Sequence, residues 1–168
     1  MTREIQHVAM GDGDGSISSL AAGTRSRFQL KRNLLLALTL ILSGRAMTLI
    51  FIGQAGGAGP GDPPAAWLMP LVGDAVIGTT ALLVVLSIWR PWGVFAWTTA
   101  IVWNSLGIWD ALSAFLIHKT APWPTFFMIE IFGSSMFFAA SGMHVLCIYL
   151  LCHKEIRNNF FRLASPSP

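Results

Sequence analysis

Residues 81–103 read ALLVVLSIWRPWGVFAWTTAIVW, two apolar runs parted only by Arg90-Pro91. Proline removes a backbone donor and disfavours helix in the residue before it, so this pair marks a tight turn between two helices. Followed outward, the first run reaches back to residue 66 and the second continues to residue 117. Two more stretches of the same kind occupy 33–54 and 125–152. Each is long enough for a hydrocarbon core of about 30 Å, which takes roughly 20 helical residues. The chain therefore reads as all-α: a polytopic membrane protein, a bundle of four transmembrane helices at 33–54, 66–89, 92–117 and 125–152.

Composition supports this class. Of the 168 residues, 54% are hydrophobic and 11% charged, against roughly 45–50% and about 25% in soluble domains. Mean hydropathy is +0.60. The net charge of +3 and pI near 9.3 do not point to nucleic acid, because the basic residues gather at the ends of apolar segments. With four spans, Arg25, Arg27, Lys31, Arg32, Arg90, Lys154, Arg157 and Arg162 fall on one side, and Lys119 on the other. The positive-inside rule then places both termini in the cytoplasm, with the plasma (inner) membrane as the expected host. Trp67 and Trp123 would mark the outer boundary, Trp89 and Trp92 the inner one.

The flanks carry little. Residues 1–32 lack helical periodicity and read as a flexible cytosolic tail, and 153–168 as a basic cytosolic tail. Asp12-Gly13-Asp14-Gly15-Ser16-Ile17 resembles the middle of a calcium loop, but Met10 and Ala21 stand where its key carboxylates belong. Lys31 and Arg32 before Leu34–Leu42 have the look of a signal peptide; apolar residues resume at once after Arg45, which favours an uncleaved span. The glycine- and proline-rich stretch 55–65 reads as an exposed loop with no phosphate-binding context. Cys147 and Cys152, about 140° apart on a helix, read as inert thiols.

One constellation remains. Arg45, Asp74, Asp110 and Glu130 sit one in each span, at depths of about 13, 12, 10 and 9 Å from the outer end at 1.5 Å per residue. A lone charge at such depth costs on the order of 2.5–3.5 kcal/mol, so the four are expected to face inward and meet. Glu130, Ser134, Ser141 and His144 trace one stripe on the fourth span; Trp103, Gly107, Asp110 and Ala114 share a face of the third, with Asn104 on its flank; Asp74, Gly78 and Ala81 line the second. Small residues there let backbones approach. One arginine facing three carboxyls predicts that one carboxyl is protonated, or that a cation or a water-filled cavity compensates. A structural ion-pair core is the plainer expectation.

Candidate ligand- or ion-binding residues are thus Arg45, Asp74, Asn104, Asp110, Glu130, Ser134 and His144. No catalytic set and no metal site is expected, and the cofactor is left unknown; His144 has the chemistry to ligate a haem, but a hydrogen-bonded core histidine is the simpler reading. The expected function is a non-catalytic accessory or assembly subunit of a larger membrane complex. Small size and aromatic faces (Phe126, Phe127, Phe132, Phe137, Phe138) favour it. A small proton- or ion-coupled transporter using Asp74, Asp110 and Glu130, and a lipid- or quinone-directed enzyme with Asp110 or Glu130 as acid–base group, stand as alternatives. The expected partners are the lipid bilayer and a second protein or a second copy, not nucleic acid.

Overall fold

The computed structural model describes residues 13–90 and 93–162. Asp12, the Pro91-Trp92 part of the turn and the end of the basic tail lie outside them. Four helical segments are long and apolar enough to cross a membrane: Ser26–Ile52, Ala65–Trp89, Val94–Thr120 and Ser135–Cys152. Among the described residues there is no strand.

The first span is composite. Helix α1 (Gly13–Leu42) tightens into a 3-10 segment, Ser43–Thr48, and resumes as the short α2 (Leu49–Ile52). α1 begins well inside the stretch expected to lack helix, because Ala21, Ala22, Arg25, Arg27, Gln29 and Lys31 are good helix formers that extend a membrane helix already nucleated. The second span is a 3-10 turn, Ala65–Trp67, running into α3 (Leu68–Trp89), and the third is α4 (Val94–Thr120).

The fourth span is not one helix. A short α5 (Phe127–Phe132) stops at Gly133, and α6 (Ser135–Cys152) carries the crossing. Gly133 has φ 56° and ψ −150°, a conformation open almost only to glycine. At about 1.5 Å per residue the 18 residues of α6 span about 27 Å. The expected helix over 125–152 is thereby corrected to 135–152.

A last helix, α7 (Lys154–Arg162), follows a kink at His153. The stretch read as a basic tail is therefore docked, not free: Ile156 and Phe160, one turn apart, are 2% and 1% exposed. They pack with Leu35 of α1, Ala96 of α4 and Leu151 of α6. Its polar residues alternate with this stripe, the pattern of an amphipathic helix.

The bundle has two apolar cores. One, at the end where α7 docks, contains Leu35, Leu42, Ile77, Val84, Ala100, Trp103 and Cys147. The other, at the opposite end, contains Trp67, Leu71, Ala114, Trp123, Phe126 and Phe137. Trp67 and Trp123, expected as boundary residues, face inward into this second core, at 3% exposure each. Their indoles donate to Ala121 O and Gly61 O, at 2.7 and 2.8 Å. The second of these bonds ties the glycine-rich loop to the segment ahead of α5.

A membrane-embedded arginine cluster as candidate functional site

Between the two cores every span contributes polar groups, and these converge on Arg45. The 3-10 segment that carries Arg45 narrows the first span, and Thr48 Oγ1 donates to Arg45 O at 2.8 Å and to Leu71 O at 3.2 Å, fixing it against α3. Gly78 of α3 allows this approach, since a Cβ there would run into the backbone of Arg45 and Ala46.

The guanidinium is shared out. Nε donates to Asp74 of α3 and Nη2 to Asp110 of α4. Nη1 reaches His144 Nε2 of α6 at 3.0 Å and Gly107 O at 3.4 Å. On its other side the imidazole places Nδ1 at 3.0 Å from Asn104 Oδ1, and Asn104 Nδ2 donates to Ala100 O at 2.8 Å. Asn104 and His144 are wholly buried. Trp103 lies edge-on to the imidazole with ring centroids 5.4 Å apart, and its indole donates to Thr80 Oγ1 at 2.9 Å. Gly107 has no Cβ because the His144 ring occupies that place.

Of the expected residues, Arg45, Asp74, Asp110, Asn104 and His144 meet. Glu130 and Ser134 do not. Glu130 is exposed on α5, and Ser134 is half-buried at the break before α6. The cause is the interruption at Gly133: the span restarts at Ser135, so the level of Arg45 is reached nine residues later, about 13 Å in, at His144. The serine stripe survives only as Ser141, whose Oγ is buried without a protein partner one turn before His144. The signal for the break was Gly133-Ser134-Ser135 inside an apolar run.

A cavity of about 530 Å³ adjoins this cluster, between the first span and the α5–α6 pair. Its walls are apolar, formed by Met47, Phe51, Phe126, Phe132, Met136 and Met143, and Arg45 and Asp74 are the charged residues on its lining. Three lining residues, Ile41, Met47 and Phe132, are themselves 61%, 55% and 54% exposed. The cavity therefore opens sideways, through the flank of the bundle. Its size falls within the several hundred Å³ typical of small-molecule sites. Sequence patterns held no sign of it, because it arises where α5 and the first span diverge.

Chemically, the cluster offers two carboxylates, one guanidinium and one imidazole at membrane depth. These groups can bind and release protons and hold a polar head group. Among the described residues, no group of three or more His, Cys, Asp or Glu is placed to hold a metal ion. No family, curated protein or solved structure matches this chain. What the fold defines is a multi-pass, all-helical membrane protein.

Proposed function

We propose that this protein is a small proton-coupled transporter that takes an amphiphilic molecule into the cavity between its first and fourth spans. The observation that carries this is the contact between an otherwise apolar, laterally open cavity and the Arg45–Asp74 pair. A structural ion pair needs no such opening. With one guanidinium set between two carboxylates, a proton on either carboxyl changes the charge that a guest in the cavity meets. Asp74 and Asp110 are the proton-exchanging groups in this reading, and Glu130 is not. With the termini cytoplasmic, the cavity lies in the outer half of the bilayer, and a second copy or lipid covers its mouth.

The test is chemical. Protein purified from its native membrane in mild detergent is expected to retain a discrete amphiphile, identified by mass spectrometry. Ala140→Phe, which places a ring in the cavity from the α6 side, is expected to lose it. Identical bound material in both forms, matching bulk lipid, would overturn the proposal.

An accessory subunit is the competing reading, favoured by the full set of partners around the guanidinium, as a helix lock requires. The aromatic faces support it less than expected. Phe126 and Phe137 are buried, and only Phe127, Phe132 and Phe138 point outward. A second polypeptide that always co-purifies, with no bound amphiphile, would decide for it.

A further inference from the structure

The polar end of the cavity discriminates between head groups. Each nitrogen of Arg45 already donates inside the protein: Nε to Asp74, Nη2 to Asp110, Nη1 to His144. With Gly107 O also taken by Nη1, only one Nη2 N–H of the five a guanidinium carries is left, so an anionic guest would find a single donor and would sit beside two carboxylates. The acceptors are better supplied. Arg45 meets a single oxygen of Asp74, Oδ1, and the Asp74 and Asp110 carboxyls lie within hydrogen-bonding reach of each other, so the pair has room for one further donor. One cation among two carboxylates and a hydrogen-bonded imidazole leaves the cluster with one negative charge in excess. The walls point the same way. Phe51 and Phe126 line it with aromatic rings, a kind of wall that tolerates a cation, and the methionine thioethers offer weak acceptors and no donors.

Resting on the transporter reading, we infer that the guest is an organic cation, a protonated amine on an apolar body, seated with its ammonium against Asp74 in exchange for a proton. One excess negative charge is neutralised by a proton or by the ammonium, not by both, so entry of the amine releases the proton and the two are exchanged one for one. The charged and titratable groups around Asp74 are Arg45 from the first span, Asp110 from α4 and, behind Arg45, His144 from α6.

The experiment uses three photoreactive probes of one chain length, an alkylamine, the corresponding alcohol and the corresponding carboxylic acid, each with a diazirine. They are offered to the full-length protein in phosphatidylcholine nanodiscs, and labelled peptides are mapped by mass spectrometry. The amine is expected to label the cavity walls around Met128–Met143, to be competed by unlabelled alkylamine, and to label several-fold more at about pH 8 than at about pH 6, with tenfold per pH unit the ceiling for one displaced proton. Asp74→Asn is expected to erase the preference for the amine, and Ala140→Phe to erase labelling by all three probes. The comparison among probes is made on the wild-type protein, so it stands even if a variant fails to fold. Equal or stronger cavity labelling by the acid or the alcohol overturns the cation inference while leaving an amphiphile site in place. Labelling of the cavity by none of the three overturns the transporter reading as well.

Discussion

Arg45 Nη1 and His144 Nε2 lie 3.0 Å apart, and because an arginine nitrogen can only donate, Nε2 must accept. The imidazole is therefore the neutral tautomer with its proton on Nδ1, pointing at Asn104 Oδ1 at 3.0 Å. Solid-state nitrogen NMR on histidine-labelled protein in lipid is expected to show a protonated Nδ1 and a bare Nε2 for His144 at neutral pH. A doubly protonated ring would mean that the contact is not as described.

Removal of the arginine exposes two carboxylates to each other. Breaking a buried ion pair by deleting one partner typically costs about 3–5 kcal/mol, and Arg45→Met is expected in that range by equilibrium unfolding in mixed micelles. Adding Asp110→Asn to Arg45→Met is expected to recover part of the loss. If the double variant is no more stable than the single one, the carboxylates do not share a site.

Two glycines of the fourth span should respond oppositely to alanine. Gly133, at φ 56°, is expected to lose about 1–3 kcal/mol from backbone strain. Gly142, exposed in α6 with open space where a Cβ would stand, is expected to gain about 0.5–1 kcal/mol, the usual helix penalty of glycine. Matching melting temperatures for the two variants would argue against the break before α6.

The docking of α7 carries a pH dependence. The hydrogen bond from Lys31 Nζ to Glu155 Oε2, 2.8 Å long, is the main influence that holds the Glu155 carboxyl below its ordinary value, with the positive charge of Lys31 adding to it. A depressed carboxyl stabilises the folded form above its unfolded value, near 4.3, and that contribution is lost as pH falls through the lower, folded value. Hydrogen exchange over 154–162 is expected to rise on acidification, and Glu155→Gln to flatten that rise. An unchanged acid profile in the variant would detach the effect from Glu155.

Much of the site was legible because physics at membrane depth is severe. Arg45, Asp74 and Asp110 had to find one another, and matching depths along the first three spans were enough to pair them. Glu130 is the exception because Gly133 breaks the helix that would have carried it to that depth, and from Ser135 the level of Arg45 falls at His144. α7 is masked in the sequence for a different reason. Lys154, Arg157 and Arg162 drew attention to charge, while the Ile156–Phe160 pair, four residues apart, was the signal for a docked face. The 3-10 stretch at Ser43–Thr48 and the cavity beside it come from how the spans diverge in three dimensions, which no local pattern encodes.

The sequence separations within the cluster also set an order of events during biosynthesis. Asp74 follows Arg45 by 29 residues, Asp110 by 65 and His144 by 99. At about 5–20 residues per second, the ribosome delivers the first counter-ion roughly 1.5–6 s after the arginine and the imidazole roughly 5–20 s after it. The first two spans therefore leave the insertion machinery as a charge-matched hairpin, and a nascent chain stopped at Pro64 should integrate less efficiently than one extended through Trp89.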